Sequence, residues 1–197
     1  MKAWNVVEST PAEEPVTRAE AKLHLRVETD VTADDTLIDR LITVARIQCE
    51  AGARRAFVSR TCVAQLDCWP SDGVITLTTP PLVSVEAIGY TDQDGIEATV
   101  DPANYLLDTH STPGKIFLRN NGAWPSATLQ EAGGIRIEYT AGYGLAESVP
   151  AIYKQAMLLY LAHLYENREA VVVGQGISML TLPLAVDALL LGDRGSY

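Results

Sequence analysis

The hydrophobic period of this chain changes twice, and this constrains the fold more than any single motif. In "TLIDRLITVARIQCEAGARRAF" (residues 36–57), Leu37, Leu41, Val44, Ala45 and Gln48 fall at three- and four-residue spacing. Ile38, Ile42 and Cys49 widen the stripe. That spacing puts apolar side chains along one side of a helix and predicts a long amphipathic one. From Ser59 to Gly144 the spacing shortens to runs such as "RTCVAQLDCW", "GVITLTT", "LVSVEAIGYTD", "KIFLR" and "GIRIEYTAGY". These are divided by Pro, Gly and Asp, as strands are divided by turns. Ile135, Ile137 and Tyr139 alternate with Arg136 and Glu138, the pattern of a half-buried antiparallel strand. The helical period then returns in "AIYKQAMLLYLAHLYENRE", which Pro150 opens, and in "LPLAVDALLLGDR", with Pro183 near its start and Gly192 past its end.

Strands in sequence between two helical regions give an α+β chain. We expect a single domain over residues 1–197, with a helical core of long antiparallel helices from 17–58 and 150–197. An antiparallel β section is inserted at 59–144, and residues 1–16 form a loosely held, extended arm. At the head of the core, Thr17 followed three residues on by Glu20 spells a capping box and predicts a short helix through Ala21, Leu23 and Leu25. Asp34 and Asp35 lie where a helix N-terminus favours negative charge, and Gly52 with Arg54 and Arg55 signals the end of that helix. Asp94-Gly95 supplies the positive φ of a tight hairpin turn in "YTDQDGIEATV".

The charge balance narrows the function. Fifteen Lys and Arg against 25 Asp and Glu give a net charge of −10. Gripping nucleic acid needs clustered positive charge, so an acidic chain of this kind is not built to hold DNA, although DNA can pass beside it. No apolar run reaches the roughly 20 residues a membrane span needs, and the N-terminus lacks a signal-peptide pattern. Three cysteines, Cys49, Cys62 and Cys68, form no CxxC pair and are expected as buried small hydrophobes in a reducing compartment.

A search for site chemistry finds one candidate pair. His163 and Glu166 are three apart and share a helix face, but a metal site needs three or four ligands and no second His is near in sequence. An enzyme using His163 and Glu166 is therefore the weaker alternative, and a soluble oligomeric binding module is another. "DQDG" begins like a calcium loop, but its twelfth position is Ala103 where a Glu is required. The glycines of "GYG" (142–144) and "GQG" (174–176) match neither a P-loop nor a dinucleotide fingerprint. No metal or cofactor is expected.

The packing pattern is more informative. From Tyr153 to Tyr165 the helix is apolar nearly all round, so it must be buried on more than one side, in the core or against another subunit. Tyr160, Leu164, Tyr165 and Arg168 are the candidate subunit-interface residues, because amphipathic aromatics and arginine suit interfaces.

Several stretches, taken in order, carry a resemblance. They are "TRAEAKLHLRV", "LIDRLITVARIQCEAGARRAF", "TTPPLVSVEAIGYTDQDG", "IRIEYTAGYG", "VPAIYKQAMLLYLAHLYENREAVVVG" and "LPLAVDALLLGDR". Together they resemble the head–tail connector (adaptor) proteins of tailed bacteriophages, the gp6-like or gp8-like family, and the similar adaptors of gene transfer agents. The resemblance implies a non-enzymatic structural protein of the virion or phage-like particle, made in the bacterial cytoplasm. It implies a homo-oligomeric ring, dodecameric like the portal, that binds the portal protein and offers a surface to a tail-completion (stopper) protein. The ring extends a channel through which DNA passes without specific binding. On this reading the C-terminal segment docks on the portal, through Leu184, Val186, Leu189, Leu190, Arg194 and Tyr197. The β insertion then faces the tail side or a neighbouring subunit.

Overall fold

The computed structural model describes residues 4–120, 122–167 and 184–191. The chain folds into two compact units, one of residues 13–58 and 144–197, the other of 1–12 and 59–143.

The first unit is helical. It contains α1 (Arg18–Leu25), α2 (Asp35–Ala53), α3 (Ala151–Glu166) and α4 (Leu184–Leu191). The α+β class is observed, but the helical part is not built throughout from long helices. Among the described residues, only α2 and α3, of 19 and 16 residues, exceed two to three turns. The capping box forms as expected: the Glu20 amide donates to the Thr17 hydroxyl at 3.2 Å, and the Thr17 amide donates to the Glu20 carboxylate at 2.7 Å. That amide holds the Glu20 carboxyl below the usual carboxylate range. α2 ends on Arg54 in the left-handed region (φ 54°), and Gly52 stays inside the helix.

The buried faces of α2 and α1 match expectation only in part. On α2 the buried seam is Ile38, Ile42, Ala45, Cys49 and Ala53, while Val44 and Ile47 are 40% and 50% exposed. Ala45 of the seam belongs to the expected series, and Ile38, Ile42 and Cys49 to the side that widens it, whereas Leu37 and Leu41 are half-buried and Gln48 is exposed. On α1, Leu23 is 81% exposed and Lys22 is buried. The Lys22 ammonium donates to the carbonyl of Val31 at 2.7 Å and lies 2.5 Å from Asp35, so its partners pull it inside. Around α3 pack α1, α2 and α4. At the start of α3, Tyr153 stacks on Phe57, with ring centroids 4.6 Å apart. At its end, the Tyr165 hydroxyl donates to Asp34 at 2.6 Å.

The second unit holds two antiparallel sheets. The larger runs in the order β1 (Trp4–Glu8), β2 (Arg60–Leu66), β8 (Ile135–Ala141), β4 (Leu82–Thr91), β5 (Glu97–Thr99). The smaller runs β3 (Val74–Thr76), β7 (Lys115–Leu118), β6 (Tyr105–Asp108). The expected alternation in β8 is present: Ile135, Ile137 and Tyr139 are fully buried and pair with Leu66, Ala64 and Cys62 of β2. β4 carries two irregularities of register against β8, which let a ten-residue strand curve along a seven-residue one.

The segment expected as a loose arm is tied down. Residues 4–8 form β1, an edge strand on β2. Glu8 ion-pairs with Arg60 at 2.5 Å and accepts from Thr79 at 3.2 Å. Farther along, Pro15 and Val16 are buried, and Glu14 pairs with Arg46 at 2.8 Å. Short apolar and acidic residues between prolines read as an arm in one dimension, and their partners lie far away in sequence.

Candidate functional site

Of the candidate interface residues, Tyr160, Leu164 and Tyr165 occupy the last two turns of α3. Its first turns bury Tyr153, Ala156 and Met157, and Leu161 follows one turn later. Tyr160, Leu164 and Tyr165 are half-buried. Burial raises the Tyr160 phenol above its ordinary value, with the Cys49 side chain adding to the shift. The Tyr165 hydroxyl is engaged within the chain by Asp34. The helix, apolar nearly all round, is buried within the unit along part of its surface and leaves another part open: Ile152 is 39% exposed, and Leu158 and Leu159 are half-buried. Arg168 lies outside the described residues.

Of the expected portal-docking residues, Val186 and Leu190 are fully buried on α4, which packs on α3 and α2. Leu189 is half-buried and Leu184 opens the helix. Arg194, Tyr197 and the glycines Gly174 and Gly176 lie outside the described residues.

His163 and Glu166 are exposed in the last turn of α3. The Asn167 amide donates to the His163 carbonyl at 2.8 Å and lies 3.4 Å from its Nδ1. Among the described residues, no group of three or more His, Cys, Asp or Glu is placed to hold a metal ion. Asp92 instead shapes its own turn, accepting from the amides of Asp94 and Ile96 at 2.9 Å. Of the cysteines, Cys49 and Cys62 are buried as expected and Cys68 is exposed. Burial pushes the Cys49 thiol up to about 12.

Open grooves among the described residues include two. One, of about 370 Å³, lies on the β4–β5–β8 side of the larger sheet and is lined by Tyr90, Glu97, Thr99, Arg136 and Glu138, among others. Arg136 and Glu138 pair there at 2.8 Å, both well exposed. The other, of about 360 Å³, is in the helical unit between Glu13, Thr17, Glu20 and Lys154. Both are lined by apolar as well as polar groups. The features sequence reasoning passed over are exposed apolar side chains on the β unit: Ile96 is 62% exposed and Leu106 is 48% exposed. Among the described residues, no helix is long and apolar enough to cross a membrane.

No protein-family model matches the chain, and no curated protein sequence does. Solved structures do. The fold is similar to a chain in the neck of an empty gene transfer agent particle computed with C6 symmetry. That likeness has 25% identity and a TM-score of 0.79, over 98% of this chain and 97% of that one. It is similar to a chain in the virion of a native gene transfer agent particle, at 23% identity and a TM-score of 0.78, over 98% and 96%. A chain in the neck of a native particle computed with C12 symmetry matches at 23% identity and a TM-score of 0.77, over 98% and 97%. Both units, from end to end, thus have the fold of a protein found in the neck of gene transfer agent particles.

Proposed function

We propose that this chain is a structural protein of the neck of a phage-like particle, and within the neck the head–tail adaptor. The observation that carries the reading is the likeness to a neck chain over 98% of this chain and 97% of that one at a TM-score of 0.79. A shared domain inside a larger machine would cover less. On this reading, copies form a ring, dodecameric in keeping with the C12 symmetry of a particle neck that contains a similar chain. The ring seats on the portal and presents a surface to a tail-completion protein, and DNA passes through it. A net charge of −10 suits a conduit that must not hold its cargo.

We read α2 and α3 as an antiparallel pair forming the body of the helical unit, since their opposite ends meet at Phe57–Tyr153 and at Asp34–Tyr165. Tyr160, Leu164, Tyr165 and Arg168 are proposed as one subunit contact. The segment from Leu184 to Tyr197 is proposed as the portal-docking element, offering Leu189 and the residues beyond α4 while Val186 and Leu190 hold it to the unit.

The test is the mass of the purified chain, alone and mixed with its portal, by light scattering with electron microscopy. A closed ring, or a monomer that adds to portal rings, supports the adaptor role. A compact monomer or dimer indifferent to the portal overturns it and turns attention to His163 and Glu166.

A further inference from the structure

β7 alternates between the two faces of the small sheet. Ile116 is fully buried on the inner face, while Lys115, Phe117 and, one residue past the strand, Arg119 alternate toward the outer face. The register places Val74 of β3 and Leu106 of β6 on either side of Phe117. A row of three apolar side chains therefore crosses the small sheet, half-buried to 48% exposed, with a cation two residues away at each end. Lys115 and Arg119 make no ion pair among the described residues, in a chain where acids outnumber bases 25 to 15. The carboxylate across from Lys115, that of Asp108, is occupied by the Ser111 hydroxyl and the amides of His110 and Ser111. Arg119 spends one N–H on the Tyr105 carbonyl at 3.3 Å, leaving the rest of its guanidinium outward.

The complement of this surface is on the same chain. The β4–β5 turn, Asp92–Glu97, carries one large apolar side chain, Ile96, 62% exposed, with Asp94 and Glu97 beside it. The tip is prebuilt. Asp92 Oδ1 takes the amides of Asp94 and Ile96, the Asp92 amide donates to the Ile96 carbonyl at 3.1 Å, and Gly95 takes φ 80°. The Gln93 amide anchors the turn to the Thr128 carbonyl at 2.9 Å. A tip that is already ordered loses little entropy on docking.

We propose that the β4–β5 hairpin tip of one copy docks on the outer face of the β3–β7–β6 sheet of the next. Ile96 covers the Val74–Phe117–Leu106 row, and Asp94 and Glu97 face Lys115 and Arg119. The occupant is a second copy because both halves of the match sit on one chain: two different complementary patches per copy make a head-to-tail contact, the kind that closes into a ring. The proposal rests on the adaptor reading only in supposing that copies meet in a neck. The contact itself is tested apart from ring closure.

Two full-length variants suffice. Leu106→Glu with Lys115→Glu spoils the sheet face and leaves the hairpin. Ile96→Glu spoils the hairpin and leaves the sheet face. All three positions are exposed or half-exposed, so far-UV circular dichroism should match that of the parent chain. The spoiled faces are both acidic and repel each other, so a mixture has one productive contact. We expect each variant alone to self-associate about tenfold more weakly or worse than the parent, and an equimolar mixture to sediment as a 1:1 dimer. If the parent forms rings, alone or on portal rings, and the variants do so equally well, or the mixture fails to pair, the contact is wrong and the ring reading stands. If the mixture dimerises but the parent builds open chains and ignores the portal, the contact stands and the adaptor reading fails. If nothing associates, parent included, with the portal present or absent, both fall.

Discussion

Glu50 accepts from two directions inside the helical unit. Arg46 donates to it at 2.9 Å and the Phe57 amide at 2.8 Å, with Arg46 and Glu50 only 5% and 7% exposed. Breaking one partner of a buried pair strands the other, which costs more than the pair is worth. Glu50→Ala should therefore lower stability by about 3 kcal/mol in urea unfolding, whereas a loss below about 1 kcal/mol would mean Glu14 alone satisfies Arg46. A backbone position is equally exacting. A Cβ on Gly114 would collide with the Cβ of Leu82, so Gly114→Ala should cost about 1–3 kcal/mol through overpacking, measured the same way. Thiol chemistry gives a third reading: Cys68 should react with an aromatic disulfide reagent in the native protein, and Cys49 and Cys62 only after denaturation. Sequence could not rank the three cysteines, since burial is decided by strands and helices brought together from elsewhere.

At the scale of elements, α1 is short and leans on its ends. Glu20 in its first turn and Asp35 at the start of α2 set a pH dependence. Hydrogen bonding and proximity of the Lys22 ammonium hold the Asp35 carboxyl below its ordinary value, and the Thr17 amide does the same for Glu20. Carboxyls with depressed folded pKa values contribute stability that is complete above their unfolded values, about 3.9 and 4.3, and is lost as pH falls through the lower folded ones. Urea unfolding of the helical unit should thus be level near neutrality and decline below about pH 4. Lys22→Met should shrink that decline; an unchanged profile would show that Asp35 is not held low by Lys22. α4 makes the complementary point. Its Val186 and Leu190 are fully buried against the unit, so Leu190→Ala should cost about 3 kcal/mol whether or not the portal is present. Loss of portal binding without loss of stability at Leu189 would separate docking from packing.

For the whole molecule, net charge and interface chemistry act in opposite directions. A charge of −10 per copy makes copies repel at long range, so a ring needs local contacts strong enough to overcome that repulsion. The proposed contact, with its apolar row beside Lys115 and Arg119, answers that need. The same charge leads us to expect no shift of duplex DNA by the assembled protein in a gel at moderate salt; a shift that weakened steeply with salt would reveal a basic surface formed on assembly.

The amino-acid order alone determined the class and the succession of elements. A capping box at Thr17, a 3.6-residue period in α2 and a period of two in β8 are local relations, written within a few residues of one another and therefore readable in one dimension. The same order left open which side of α2 is buried, why Lys22 is inside and Leu23 outside, and that residues 4–8 complete a sheet. Each depends on a partner far along the chain, as Glu8 depends on Arg60 and Thr79. The candidate surfaces divide in the same way. "KIFLR" already spells a cation, an aromatic and a cation at alternate positions. Only the register that sets Val74 and Leu106 beside Phe117 turns that spelling into a face, because a surface patch is a property of strands side by side and not of any one of them.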